Sequence, residues 1–314
     1  METYRIQNAI MNRNLSWEKI NIPKWVNKEN VSLDQYYTNR DIALKYYNKA
    51  IQYLKQKGIP EEDCFFVEPS AGDGVFYDLL PANRRVGIDI CPNNSSIVEH
   101  DFLTWNGELP KNKVIVYIGN PPFGYRGWLA LEFVNKAAQN ADFVFFILPM
   151  SFQSIGKGSP RKRVNGLILK DYEVLPTNSF HTVEGANKKI NSLWTVWEKG
   201  VNILPAEPDL SEYLELFTVD LRTERLCGVD KMHEANFFLQ RTFYNSQPHI
   251  VYDFKEVRYV CGYGFMIYKK EKQIVKILSE IDWNKYSNLA AHNCHHISMC
   301  HIKQALFDGG LCNV

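Results

Sequence analysis

The sequence predicts an α/β protein: an open, mostly parallel, doubly wound sheet over residues 31–200, followed by a smaller mixed unit over residues 201–314. Three observations carry this. Several short segments are continuously apolar, as strands buried on both faces are. Segments with helical periodicity separate them, the alternation expected of a parallel sheet with helices on its faces. The alternation breaks down after Gly200, where "NILPAEPDL" (202–210) carries two prolines and reads as a linker.

Residues 1–30 are a polar extension with scattered aromatics, to which no element is assigned. From Asn39 to Lys57 the apolar residues Ile42, Ala43, Tyr46, Tyr47, Ala50, Ile51 and Leu54 fall on one helical face, and Gly58 and Pro60 stop the helix. "CFFVEP" (64–69), "RVGIDI" (85–90), "KVIVYIG" (113–119) and "DFVFFILP" (142–149) read as strands, with "YEVLP" (172–176) and "SLWTVWEK" (192–199) after them. "GVFYDLL" (74–80) reads as a short helix and "GWLALEFVNKAAQ" (127–139) as a longer one. Past the linker, "ANFFLQRTFY" (235–244), "HIVYDF" (249–254) and "RYVCGYGFMIYKK" (258–270) are strand-like, and "KEKQIVKILSEI" (270–281) is helical. No internal repeat is visible.

The chain of 314 residues is long enough to bury a substantial core. Its apolar fraction of 45% and charged fraction of 23% are those of a soluble globular protein. A net charge of +1 gives no overall basicity to mark a nucleic-acid binder, although a local patch can serve. The longest apolar run, "FVFFILPM" (143–150), is too short to span a bilayer, so no membrane partner is expected. "METYRIQNAIMNRN" lacks the apolar core of a secretory leader, and the seven irregularly spaced cysteines read as reduced thiols. The expected location is cytoplasmic.

Chemistry concentrates at the strand ends. In "YIGNPPFGY" (117–125), an apolar strand runs into Asn120-Pro121-Pro122-Phe123-Gly124. Two prolines end a strand, since neither donates to a ladder. The plain reading is a loop; the functional one is a site where Asn120 and a backbone carbonyl hold a planar amine under Phe123. Strand 64–67 leads into "EPSAGDG" (68–74), where Gly72 and Gly74 permit a tight turn and close approach of a ligand. The dinucleotide fingerprint GxGxxG and the phosphate loop ending in Gly-Lys-Ser/Thr are absent. Glu68 and Asp73 make this loop acidic, which suits a cationic or hydroxyl-rich ligand better than a polyphosphate. Asp89 ends the next strand, where an acid can accept from two ribose hydroxyls, and Asp101 with Phe102 can serve an adenine. Singly, each acid reads equally well as a cap or turn residue. In order at successive strand ends, they read as a nucleotide-type cradle.

The segments "DQYYT" (34–38), "VEPSAGDG" (67–74), "GIDI" (87–90), "HDFL" (100–103) and "IGNPPFG" (118–124) occur in an order that resembles the S-adenosylmethionine-dependent adenine-N6 DNA methyltransferases. Within them it is similar to the group with the cofactor motif first, the Asn-Pro-Pro-aromatic motif next and target recognition C-terminal. The resemblance implies a Rossmann-like methyltransferase domain over residues 31–200 and a target recognition region over 201–314. It implies that Tyr37 and Thr38 lie against the methionine part of S-adenosylmethionine, that Glu68, Ser70 and Gly72 shape the main pocket, and that Asp73 sits near the methionine amino group. Asp89 would bind the ribose, Ile90, Asp101 and Phe102 the adenine, and Asn120, Pro121, Pro122 and Phe123 would carry catalysis, with Asn120 also at the cofactor. Similar motifs serve adenine in RNA, guanine in ribosomal RNA and glutamine in proteins. An RNA adenine methyltransferase, a protein glutamine methyltransferase and an inactive binding module are therefore the alternatives. No metal and no strong general base are required.

The implied partner is nucleic acid, DNA first and RNA second, with the target base extruded from its stack. Lys157, Arg161, Lys162 and Arg163 in "QSIGKGSPRKRVNG" (153–166) are the candidate phosphate contacts, with Lys188 and Lys189 beside them; the alternative is a solvated charge run. Phe180 is the candidate second stacking aromatic, against plain core packing. "HNCHHISMCHI" (292–302) collects His292, Cys294, His295, His296, Cys300 and His301, but its spacing fits no standard zinc pattern, and Ser298 reads as a helix cap.

Overall fold

Residue chemistry places the central sheet before any helix is considered: "CFFVE", "VIVYIG" and "FVFFILP" are buried along almost their whole length. The computed structural model describes residues 36–124, 127–156, 158–182, 185–290 and 293–312. The 1–30 extension, with Asp34 and Gln35 of the "DQYYT" segment, lies outside the described residues. The chain forms two compact units: one runs to Gln153 and from Ser159 to Ile203, the other comprises Ser154–Gly158 and Leu204 onward.

The first unit contains, in order, β1 (Tyr37–Thr38), α1 (Arg40–Gln56), β2 (Cys64–Glu68), β3 (Arg85–Asp89), β4 (Val98–Glu99), β5 (Val114–Gly119), α2 (Trp128–Ala137), β6 (Phe143–Pro149), β7 (Leu167–Val174), β8 (Phe180–His181), β9 (Asn187–Lys188) and β10 (Ser192–Lys199). Seven strands form the main sheet in the order β4-β3-β2-β5-β6-β10-β7. The first five are mutually parallel, and β10 runs antiparallel to both β6 and β7. The chain enters at β2, builds outward to β4, then returns to β5 on the other side of β2. That reversal opens a crevice at the carboxyl ends of β2 and β5. A separate small sheet, β1-β8-β9, pairs Thr38 with Phe180 and Phe180 with Lys188.

Alternate residues of these strands point to opposite faces. On one face, Ala43, Tyr46, Ala50 and Leu54 of α1 pack with Phe66, Ile118, Phe145 and Trp194. The Trp194 ring lies 4.9 Å from Tyr46 and 6.1 Å from Phe145. On the other face, Phe102 sits 5.8 Å from Tyr117 and 5.2 Å from Phe133 of α2. Among the described residues each face thus has one α-helix. The expected helix at 74–80 is a single 3-10 turn, Tyr77–Leu79. Gly74 holds a left-handed φ of 87° at one end, and Leu80 precedes Pro81 at the other, so too few residues remain for a helical nucleus. Arg85 takes over the carbonyls a helix would have paired, donating to Tyr77 O at 2.6 Å and Leu80 O at 2.9 Å. β7 also starts earlier than the predicted 172–176, because Leu167 and Leu169 pair with β10 and are buried.

The second unit contains β11 (Leu214–Asp220), β12 (Phe237–Gln240), β13 (Thr242–Phe243), β14 (Ile250–Val251), β15 (Cys261–Ile267), α3 (Glu271–Glu280), β16 (Asn288–Leu289), β17 (His295–His296) and α4 (Met299–Asp308). An antiparallel sheet β11-β15-β12-β14 buries Phe237 and Phe265 against Ile274 and Leu278 of α3 and Ile302 and Leu306 of α4. Its other face buries Phe217, Val219, Met232 and Phe238.

Phe145 is fully buried and touches Tyr53, Phe143 and Trp194. Phe145→Ala is expected to destabilise the first unit by about 3–5 kcal/mol. Urea unfolding followed by circular dichroism reads this as a lower midpoint at unchanged slope. A loss under about 1 kcal/mol would show that the aromatic stack does not hold the sheet.

Candidate active site

The loop after β2 turns tightly enough to bring its backbone against two neighbours. Gly72 has a φ of 49°, and a Cβ there would lie 3.3 Å from the Tyr37 ring, so glycine serves both conformation and approach. Asp89, at the end of β3, anchors this loop: Oδ2 accepts from Gly72 N–H and Oδ1 from Cys91 N–H, both at 2.8 Å. Each oxygen keeps acceptor capacity for a further donor. His100 N–H donates to Asp89 O at 2.8 Å, which draws residues 100–103 to the same edge. There Asp101 Oδ1 accepts from Leu103 N–H at 2.9 Å, and Phe102 is buried.

Asn120 completes the ring of strand ends. Its backbone carbonyl accepts from Ser70 Oγ at 3.1 Å, tying the two loops across the reversal point. Its Nδ2 donates to Tyr36 O at 3.0 Å, which orients the amide, and its buried Oδ1 has no partner. Glu68 is packed beneath Gly119, where a Cβ would come within 3.2 Å of its Cγ.

These loops enclose a cleft of about 1080 Å³, solvent mouth included. Tyr37, Thr38, Glu68, Ser70, Gly72, Asp73, Asp89, Ile90, Asp101, Phe102 and Asn120 all line it, as does Pro122. Pro121 is buried behind them. Phe123 does not line the cleft; its half-buried ring packs on the α1-side core. Phe180 is corrected more firmly. Pairing with Thr38 turns its ring into the same core at 1% exposure, leaving no face for stacking.

The backbone of the basic run lies apart from these loops. Lys157 lies outside the described residues. Asn135, in the last turn of α2, donates to Arg163 O at 3.1 Å and accepts from Asn165 N–H at 3.0 Å. Asn202, just past β10, donates to Arg161 O at 2.7 Å. Both anchors lie toward the amino end of β6, where Glu198 pairs with Phe143. Arg161, Lys162 and Arg163 therefore sit toward the sheet edge opposite the cleft, because the chain must run back down α2 before β7 begins.

Sequence reasoning passed over Tyr36, Phe76, His100, Leu129 and Phe133, which also line the cleft. Leu129 and Phe133 are four apart on α2 and carry only an ordinary core signal. In the second unit the His/Cys cluster is locally engaged. His295 Nδ1 pairs with Ser287 Oγ at 2.8 Å, His296 Nδ1 with Thr242 Oγ1 at 2.9 Å, and His301 Nδ1 accepts from Ser298 N–H at 3.2 Å as half of a capping box. His292 lies outside the described residues. Among the described residues, no three or more His, Cys, Asp or Glu side chains are grouped to hold a metal ion.

The cleft lining carries four carboxyl side chains, Glu68, Asp73, Asp89 and Asp101, and neither Lys nor Arg. Burial, reinforced by Asp73 and Asp89, holds the Glu68 carboxyl well above the ordinary glutamate value. Burial also raises Asp73 and Asp89, against the lowering pull of backbone N–H groups. Thr38 Oγ1, Glu68 Oε2 and Asn120 Oδ1 are all buried in the lining without a hydrogen-bond partner. Such groups are rare in folded proteins, and three in one cleft point to a ligand that supplies donors and positive charge.

No family model matches this sequence, and no curated protein matches it. Solved structures do. A proposed RNA methyltransferase from Pyrococcus horikoshii is 16% identical, with 54% of this chain and 88% of that one covered and a TM-score of 0.38. The modification subunit of a proposed type I restriction enzyme from Vibrio vulnificus is 12% identical, with 61% and 48% covered and a TM-score of 0.36. A Thermoplasma acidophilum protein is 15% identical, with 51% and 96% covered and a TM-score of 0.32. Likeness at this level transfers no activity to this chain. Among the described residues, no helix is long and apolar enough to cross a membrane.

Glu68 also predicts how stability varies with pH. Above about 4.5 the unfolded chain ionises this group while the folded protein keeps its proton, so stability falls as pH rises toward the folded value. Asp73 and Asp89 act with the same sign. Glu68→Gln is expected to raise the Tm of the ligand-free protein at pH 8 and to flatten the decline of Tm between pH 5 and 8. Matching profiles for the variant and the parent would show that Glu68 ionises normally.

Proposed function

We propose that this protein transfers a methyl group from S-adenosylmethionine to the exocyclic N6 amine of adenine in DNA. The observation that carries the reading is Asn120 Oδ1, a buried acceptor without a partner, oriented by Tyr36 O in an acid-lined cleft at the sheet's reversal point. The ordered motifs that resemble the adenine-N6 methyltransferases support it.

The residues present fit the cofactor. Asp89 retains acceptor capacity for the ribose hydroxyls, and Ile90 and Phe102 offer apolar surface to the adenine ring, with Asp101 beside its amino group. Glu68, Asp73 and Thr38 face the cationic methionine part, which answers the orphaned Glu68 Oε2 and Thr38 Oγ1. S-adenosylmethionine, when bound, supplies an already activated methyl group. The protein's task is orientation. An adenine amine is a weak nucleophile because its lone pair is delocalised into the ring. Asn120 Oδ1 accepts one of its N–H bonds and the Pro121 carbonyl the other. Two acceptors on a stiff Pro-Pro turn favour a pyramidal amine and localise the lone pair. A paired adenine cannot reach this depth, so the base leaves its stack.

Incubation with labelled S-adenosylmethionine and duplex DNA, structured RNA or protein extract tests the reading. Label is expected in DNA, on adenine N6; label in RNA or protein alone would overturn it. Asn120→Ala is expected to lower kcat by at least about a hundredfold while cofactor affinity stays within about twofold. Full activity in that variant would remove Asn120 from the chemistry. Asp89→Ala is expected to weaken cofactor binding by about tenfold or more; an unchanged Kd by equilibrium dialysis would take it out of the ribose site.

A further inference from the structure

The interior of the cleft is acidic, and a phosphodiester chain delivering a base to Asn120 meets Asp73, Asp89 and Asp101 as like charges. Something at the rim must compensate, and the Arg161–Arg163 run lies toward the far edge of the sheet. The small sheet β1-β8-β9 supplies a different candidate. Its first strand forms part of the cleft wall through Tyr37 and Thr38, and its register brings Lys188 opposite Phe180, which in turn pairs with Thr38. Lys188 Nζ stands 5.8 Å from the centroid of the Tyr36 ring. Tyr36 lines the cleft, and its carbonyl is the group that orients Asn120. One cation therefore stands on the residue that sets the proposed amine acceptor, and a second, Lys189, follows it.

Several other lysines of the same unit are neutralised by acids. Lys45 and Lys49 meet Glu173, Lys57 and Lys170 meet Glu198, and Lys113 meets Asp63. Lys188 and Lys189 are exposed and, among the described residues, make no ion pair. An exposed, unneutralised cation on an aromatic ring that lines an acidic cleft, with a second next to it in sequence, suits a polyanionic strand whose base goes inward and whose phosphates stay outside.

We propose that Lys188 and Lys189 hold the phosphodiester backbone of the nucleic acid whose base enters the cleft, an assignment that rests on the methyl-transfer reading above. The test uses the full chain and a fluorescein-labelled duplex oligonucleotide, with Kd followed by anisotropy across a salt series. Lys188→Glu/Lys189→Glu is expected to raise Kd about tenfold or more at low salt and to reduce the slope of log Kd against log salt by about two. Binding of labelled S-adenosylmethionine is expected to stay unchanged, which also shows that the variant is folded. Arg161→Glu/Lys162→Glu/Arg163→Glu, toward the opposite edge, is expected to behave like the parent. A lysine variant that keeps both affinity and slope would overturn the assignment, and if the parent still methylates DNA, the assignment alone falls. A parent that binds S-adenosylmethionine but no polynucleotide would overturn the assignment and the methyl-transfer reading together.

Discussion

One carboxylate holds the cleft together. Asp89 accepts from Gly72 through one oxygen and from Cys91 through the other, so the loop after β2 and the loop after β3 share an anchor. The β3 strand end also receives His100 N–H on the Asp89 carbonyl, which brings the 100–103 segment to the same edge. Across the reversal point, Ser70 Oγ bonds the Asn120 carbonyl and ties the first loop to the Pro-Pro turn. Three strand ends remote in sequence are thus held by short polar bonds, on a sheet that α1 and α2 clamp from its two faces. This economy compensates for the missing helix after β2: a 3-10 turn and Arg85 do its packing and its carbonyl pairing.

The same construction carries an electrostatic strain. Burying Glu68 beside Asp73 and Asp89 disfavours ionisation of all three, and the pull of His181 on Asp73 does not offset it. A ligand that is positive near Glu68 and Asp73 and rich in hydroxyl donors near Asp89 would satisfy groups that the fold leaves unsatisfied. Preorganised acceptors of this kind gain strength from the low dielectric around them, provided the ligand brings the missing protons and charge. Acid within and unneutralised lysines at the rim then sort a nucleic-acid substrate by charge: base toward the acceptors, phosphates toward Lys188 and Lys189.

Much of the first unit was legible because its signals are local. Apolar runs identified β2, β5, β6 and β10 almost to the residue, and periodicity identified α1 and α2. The failures have physical causes. The segment 74–80 has helical composition, but Gly74 and Pro81 leave it too short to propagate. Phe180 looks like any exposed loop aromatic until its pairing with Thr38 turns the ring inward. Arg161, Lys162 and Arg163 follow directly on a strand that ends near the cleft, and only the return path along α2 carries them away from it.

By itself, the sequence determined the order of acids and glycines at the strand ends, since turn-forming residues and apolar runs act over a few neighbours. It also determined the Asn-Pro-Pro turn, whose stiffness is a property of proline. Only the tertiary structure decided which of these groups meet, because strand order is set by non-local pairing that composition does not encode. It decided as well that Tyr36 orients Asn120, that Phe180 is buried in the core, and that Lys188 stands by the Tyr36 ring. A residue's partners follow from the path of the chain through space, and the charge run most visible in the sequence has its backbone toward the amino end of β6 for that reason.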